Sequence, residues 1–239
     1  LPDGRSLQSH YEAWNTYYKE YCLSRAKHGL LVEVFSAYGP SYTLPEIMNM
    51  RDLSEDEVLR ERMDKLLHLI WADWAVGQLN GVRGGGRTRI YKEDPENIRQ
   101  LTQWGSGDRW RTMSKVLLNE SEWWSPRQVP NHPIQGMAFV MATTGYRLPN
   151  IIMDIAVDIE GRGEYTYVAR RISKQKQMLA KNIPVKHAPW YALDPEDPRM
   201  IGYDYCTPDY VMGSLLIDPT WPGVSSHLYQ EGQDLMEGY

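Results

Sequence analysis

The sequence predicts a mainly α-helical chain, with a helical domain over residues 1–160 and a β-rich portion over 161–239. Three observations carry that expectation. Apolar residues recur at spacings of three and four through much of the first half, which marks one face of a helix. Near Gly161 the content turns β-branched and aromatic, in GEYTYVARRIS and again in YVMGSLLID. Long polar, aromatic loops join the helical segments, and loops of that length in a compact domain tend to carry function.

Residues 6–28 read as the first helix, with Leu7, Tyr11, Trp14, Tyr18, Tyr21 and Cys22 on one face and His28-Gly29 as the stop. LLVEVFSAYGPSYT follows, a β-rich apolar run that holds one acid, Glu33, and breaks at Gly39-Pro40. Thr43 is placed to cap a short helix over 44–53, with Pro45 in its first turn and Glu46 at the capping-box position. The strongest helix covers 54–79. Ser54 and Glu57 make a capping box, and Leu59, Met63, Leu66, Ile70, Trp71 and Trp74 keep the helical spacing. This helix runs straight into QLNGVRGGGRTRIY. A short helix near 96–103, one starting at Asp108, and two over 134–144 and 150–160 complete the helical half. SPRQVPNHP is a proline-punctuated loop before the last pair.

A chain of 239 residues can bury a sizeable core. Its net charge of −5 gives no global basic field to draw in nucleic acid or an anionic membrane. No apolar stretch is long enough to span a bilayer. The chain opens on Leu1-Pro2 without a leader, so a processed product or an internal piece is expected. Cys22 and Cys206 read as two buried thiols, with one long-range disulfide as the alternative. There are 9 Trp and 16 Tyr but only 2 Phe, a preference for rings with a polar handle. Such rings suit cores with wet edges, and they suit sugar-binding clefts.

The order of helix, HGLLVEVFSAYGPSYTL, short helix and LLHLIWADWAVGQLNGVRGGGRTRIY is similar to bacterial proteins with an incomplete α/α toroid followed by a β-sandwich. These are the heparinase II/III-like polysaccharide lyases and their glycoside-hydrolase-like relatives. TTGYRLPNIIMDIA and YCTPDYVMGSLL resemble the toroid's end and the sandwich's start. The resemblance covers most of the chain, and none of its motifs is diagnostic of one reaction. It implies a carbohydrate-active protein, secreted or periplasmic, with a toroid-like domain over 1–160 and the opening of a sandwich over 161–239. It also implies a piece of a larger protein, whose missing segments or a second copy would cover its ends.

Arginine recognises carboxylates bidentately, and glycine lets the backbone approach a ligand. Asn80, Arg83, Arg87 and Arg89 around the glycine run therefore suit a uronic acid. In lyases of the resembled class an amide or arginine neutralises the substrate carboxylate, and a Tyr or His removes the acidified α-proton. The expected reaction is β-elimination on a uronic-acid polysaccharide, with Asn80 and Arg83 on the uronate and Tyr38 or His132 moving the proton. Arg87, Arg89, Tyr42, Tyr91, Trp74 and Trp124 are the expected substrate-binding residues. A glycoside hydrolase would need two facing carboxylates, for which Glu33 and Asp73 are the first candidates and Asp52 and Asp154 the next. In the third reading the chain is a non-catalytic glycan-binding or scaffold protein, whose aromatics bind while its charges only form ion pairs. The bland alternative for the glycine loop is a helix C-cap and surface turn, and for the tryptophans plain packing. The glycines follow a helix and lack the P-loop lysine, and no histidine pair has metal-ligand spacing, so no cofactor or metal is expected. Convergence of Arg83, His132 and a tyrosine favours the lyase, two facing carboxylates the hydrolase, and an open aromatic face without either the binding module.

Overall fold

Helix α3, Glu57–Val76, forms the centre of the packing. The computed structural model describes residues 2–30, 39–84, 109–118, 135–170 and 200–217. The apolar run over 31–38, the short helix near 96–103 and the proline-rich loop lie outside these. The expected stripe of α3 is buried, including Met63, Leu66, Leu67, Ile70, Trp71 and Trp74. Trp71 meets Trp74 edge to face at 5.5 Å and Trp110 at 5.8 Å, an arrangement the ring quadrupoles favour. The cap differs from the expected Ser54–Glu57 box. The Asp56 carboxylate accepts the Leu59 amide at 2.9 Å, while the Ser54 hydroxyl accepts the Asp56 amide at 3.1 Å. A carboxylate at that position also meets the positive end of the helix dipole, so the helix starts at Glu57.

Helix α1, Leu7–His28, is capped by Ser6 and closed by Gly29, whose φ of 116° lets its amide turn back to the Arg25 carbonyl. It meets α3 at Lys19, which holds Asp56 at 2.6 Å, and at Cys22, whose sulfur lies 3.5 Å from that of Met63. Asn15, one turn earlier, is still buried. Leu7, Tyr11 and Trp14, expected on a packed face, stand open at 76, 46 and 55 % exposure.

Gly39–Thr43 is a π-helical turn that flows into α2, Leu44–Leu53. Thr43 is already helical at φ −66° and ψ −48° and makes no side-chain cap, because the chain is coiled before α2 begins. Leu44, Ile47 and Met48 bury α2 in the core. Helices α4 (Arg109–Leu118), α5 (Gln135–Thr143), α6 (Asn150–Val157) and α7 (Ile159–Arg162) follow. The helix expected over 150–160 breaks at Asp158, whose carboxylate takes the Gly161 amide at 2.9 Å and starts α7.

The helix expected to reach residue 79 stops at Val76, and a β-hairpin takes its place. Strand β1 (Gln78–Leu79) pairs with β2 (Val82–Arg83) in the register Gln78↔Arg83 and Leu79↔Val82. Asn80 and Gly81 make the turn with φ of 49° and 80°. Two positive φ values match the right-handed twist of a two-residue hairpin, and Asn-Gly is the pair that adopts them most readily. A three-stranded antiparallel sheet closes the described chain in the order β3 (Tyr165–Arg170), β4 (Met200–Cys206), β5 (Val211–Ile217). Gly202, Asp204 and Cys206 point inward from β4, and Tyr203 points out. Cys22 and Cys206 are both buried free thiols. Among the described residues no helix is long and apolar enough to cross a membrane.

The first glycine of the triplet joins the hairpin to the sheet. The Gly84 carbonyl accepts the Gly213 amide of β5 at 2.9 Å, and the Gly84 amide donates to the Gly77 carbonyl at 3.3 Å. A Cβ at Gly84 would lie 2.5 Å from a Val211 methyl and 2.8 Å from the Val211 backbone carbon. Gly84→Ala must therefore push β5 away, and a loss of about 1–3 kcal/mol in urea unfolding is expected, the usual cost of overpacking. An unchanged midpoint would show that β5 moves without resistance.

Candidate functional site

The last turn of α3 leaves carbonyls without helical partners. Side chains from three other segments take three of them. Arg83 Nη1 donates to the Asp73 carbonyl at 3.0 Å, and Arg162 Nη1 to the Ala75 carbonyl at 2.9 Å. The Tyr165 hydroxyl donates to the Val76 carbonyl at 2.5 Å. Two guanidinium groups at the negative end of a helix dipole are favourably placed. Arg83 Nη2 also reaches Asp204 Oδ2 at 2.8 Å, with both side chains almost wholly enclosed. The Tyr167 hydroxyl donates to Asp73 Oδ1 at 2.5 Å. Gln78 completes the joint, with its amide nitrogen on the Ala156 carbonyl at 2.8 Å and its oxygen accepting the Gly81 amide at 2.7 Å. Burial pushes the Tyr165 phenol up to about 12 and raises the Cys206 thiol, so both stay protonated at neutral pH.

A second polar chain links α2, α3 and the loop before α6. Arg51 donates to Asp52 at 2.7 Å and to Asp64 at 2.9 Å, so one guanidinium separates these two carboxylates. Asp52 Oδ2 accepts the Thr144 hydroxyl at 2.6 Å and the Gly145 amide at 3.1 Å. Asp64 faces His68 Nε2 at 3.5 Å, and His68 Nδ1 lies 3.2 Å from the buried Tyr146 hydroxyl. Both histidine nitrogens thus face protein groups. Burial works to raise the Asp52 carboxyl, but the bonds from Thr144, Arg51 and Gly145 outweigh it and hold it below its ordinary value.

The third feature is the open side of α1. Trp14 stacks on Tyr18 at 5.7 Å with 27° between the planes, and Tyr17 meets both rings edge on at 5.6 and 5.2 Å. Trp14 and Tyr17 are exposed, while Tyr18 and Tyr21 sink towards the core.

Against the residues expected from sequence, the placements divide in three. Glu33, Tyr38, Arg87, Arg89, Tyr91, Trp124 and His132 lie outside the described residues. Arg83 and Asp73 come together, in the joint at the end of α3 and both buried. Trp74 lies in the core against Trp71, and Asp154 is exposed on α6. Asn80 is exposed at the tip of the hairpin, and Tyr42 is exposed in the π-helical turn. Asp204, Arg51 and Tyr167 escaped the sequence reading, since each acts through partners far away in the chain. The Asn80-Gly81 hairpin had a local signal in the dipeptide itself. Among the described residues no cluster of histidine, cysteine or carboxylate side chains could hold a metal ion. In comparisons with known proteins, no family model, no curated protein and no solved structure matches the chain.

A carboxyl whose folded pKa lies below its unfolded value adds stability above the unfolded pKa and loses it as pH falls through the folded one. For Asp52 the reference value is 3.8 and the folded value lies lower. The melting temperature should therefore fall as the solution is taken below about pH 4, and part of that fall should vanish in Asp52→Asn. At pH 7 the same variant should lose about 1–2 kcal/mol, because Thr144 and Gly145 give up a charged acceptor. Parallel acid profiles of wild type and variant would show that Asp52 contributes nothing to the acid transition.

Proposed function

We propose that this chain is a carbohydrate-binding protein whose helical domain presents the aromatic side of α1 to sugar rings. The observation that carries this reading is the pair of exposed rings at Trp14 and Tyr17, packed on each other and on the half-buried Tyr18. Indole and phenol faces stack on the C–H faces of sugars, and their polar edges tolerate water. The surrounding rings hold Trp14 in place, so little side-chain freedom is lost on binding. The incomplete toroid and the opening of a sandwich are the architecture this reading places behind the helices and the sheet.

One placement supports a second reading, β-elimination on a uronic-acid polysaccharide. Asn80 stands exposed at the hairpin tip, upstream of the glycine run that starts at Gly84, where an amide can meet a substrate carboxylate. In that reading Arg83 supports the hairpin from behind through Asp204, and proton transfer falls to Tyr38 or His132.

Calorimetric titration with a panel of short neutral and acidic oligosaccharides tests the first reading. Trp14→Ala should weaken binding roughly 3–10-fold, the worth of one aromatic contact. Phe139→Ala, another exposed ring at 68 % on α5, should leave it unchanged. Absence of heat with every sugar, or equal effects of the two variants, would remove the basis for the reading. An ultraviolet signal from unsaturated uronate in the same tubes, lost in Asn80→Ala, would bring elimination forward.

A further inference from the structure

The tip of the β1–β2 hairpin joins the two residue types most prone to one spontaneous covalent change. In an Asn-Gly pair the glycine nitrogen, once hydroxide has taken its proton, attacks Cγ of the asparagine side chain. The new C–N bond closes an imide ring, and the side-chain nitrogen picks up a proton and leaves as ammonia. Water then opens the ring at either carbonyl, giving Asp or isoaspartate. Glycine suits the attack because no Cβ crowds the nitrogen. Asn80-Gly81 is the one Asn-Gly pair in the sequence.

The structure holds the two reacting groups in different surroundings. Asn80 is exposed, while Gly81 is buried. The Gly81 amide donates to Gln78 Oε1 at 2.7 Å. Gln78 is itself 1 % exposed, with its side-chain nitrogen fixed on the Ala156 carbonyl at 2.8 Å. The proton that must leave first is thus given to a neutral acceptor away from hydroxide. Breaking that bond would leave a buried oxygen unmet, which costs free energy. The two products differ in backbone. Asp tolerates the left-handed φ of 49° much as Asn does. Isoaspartate adds one backbone carbon inside a two-residue turn. The register of that turn, Gln78↔Arg83, is what brings Arg83 to Asp204 at 2.8 Å.

We propose that Asn80-Gly81 is a deamidation site that the folded hairpin keeps closed, with Gln78 as its latch, and that the isoaspartate product loosens the joint between α3 and the sheet. The inference stands apart from either reading of function.

Incubation of the full chain at mildly alkaline pH, with the tryptic peptide 66–83 followed by mass, tests it. Asn80 is the only asparagine in that peptide, and deamidation adds one mass unit. In urea-unfolded wild type the conversion should run at least about ten-fold faster than in the folded chain, because only opened amides react. Gln78→Met removes the acceptor and should speed the folded chain roughly five-fold, the worth of one hydrogen bond. Gln78→Glu gives up the same contact with Ala156 but keeps an acceptor, and should stay as slow as wild type. Should Gln78→Met fail to fold, hydrogen exchange at the wild-type Gly81 amide decides, since exchange and ring closure begin with loss of the same proton. Slow exchange there supports the latch, and exchange as fast as in an open peptide overturns it. After separation, the isoaspartate form should unfold at lower urea than the Asp form. No conversion even in urea overturns the site, and equal rates in folded and unfolded chain overturn its closure. Equal rates in wild type and Gln78→Met overturn the latch. Equal urea midpoints for the two products overturn the effect on the joint.

Discussion

The buried ion pair between Arg83 and Asp204 fixes how the helical part of the chain meets the sheet. It joins the end of a short hairpin to the middle of the central strand, 121 residues further along. Taking both charges out of water is costly, and their attraction alone rarely offsets that cost. Here the guanidinium also donates to the Asp73 carbonyl at the negative end of α3. The charge thus serves two partners, and neither β2 nor β4 can slide by one residue without stranding it. Such a pair acts more through register than through net stability. Around it, Tyr165, Gln78 and Arg162 close the remaining carbonyls of the helix end, and Gly84 lets β5 approach.

This constraint bears on the site. A buried arginine already shared between a carboxylate and a helix end is a poor first contact for a substrate. The exposed part of the same hairpin is Asn80. The aromatic side of α1 is subject to no such demand. Its Trp14 and Tyr17 stand in solvent, 55 and 54 % exposed. Exposed rings grouped in this way form apolar surface of the kind that binding buries.

Helices with clean periodicity were legible in the sequence. The stripe of α3 and the length of α1 follow from spacings of three and four, because helix geometry turns local pattern into a face. Which face is covered was not legible, since the exposure of Tyr11 and Trp14 depends on what the rest of the chain packs against α1. Caps shifted by a residue or two, as at Asp56, because several side chains near a helix start compete for the same amides. Strand β4 was missed for a different reason. Its inward residues are Gly202, Asp204 and Cys206, chosen to meet Arg83 and the end of α3, so the apolar alternation of a strand is absent. Asp73 and Arg83 were singled out as chemistry, yet in the structure both serve the joint, a pairing that no local spacing announces.

A double-mutant cycle on Arg83→Ala and Asp204→Ala, read by urea unfolding, addresses the joint most directly. Each single change should cost about 3–5 kcal/mol, since each leaves a buried charge without its partner. The double variant should cost clearly less than the sum, by at least about 1 kcal/mol, because the second change removes the stranded group. Additive losses, or single losses of the size of surface substitutions, would mean that the pair does not hold the helix end to the sheet.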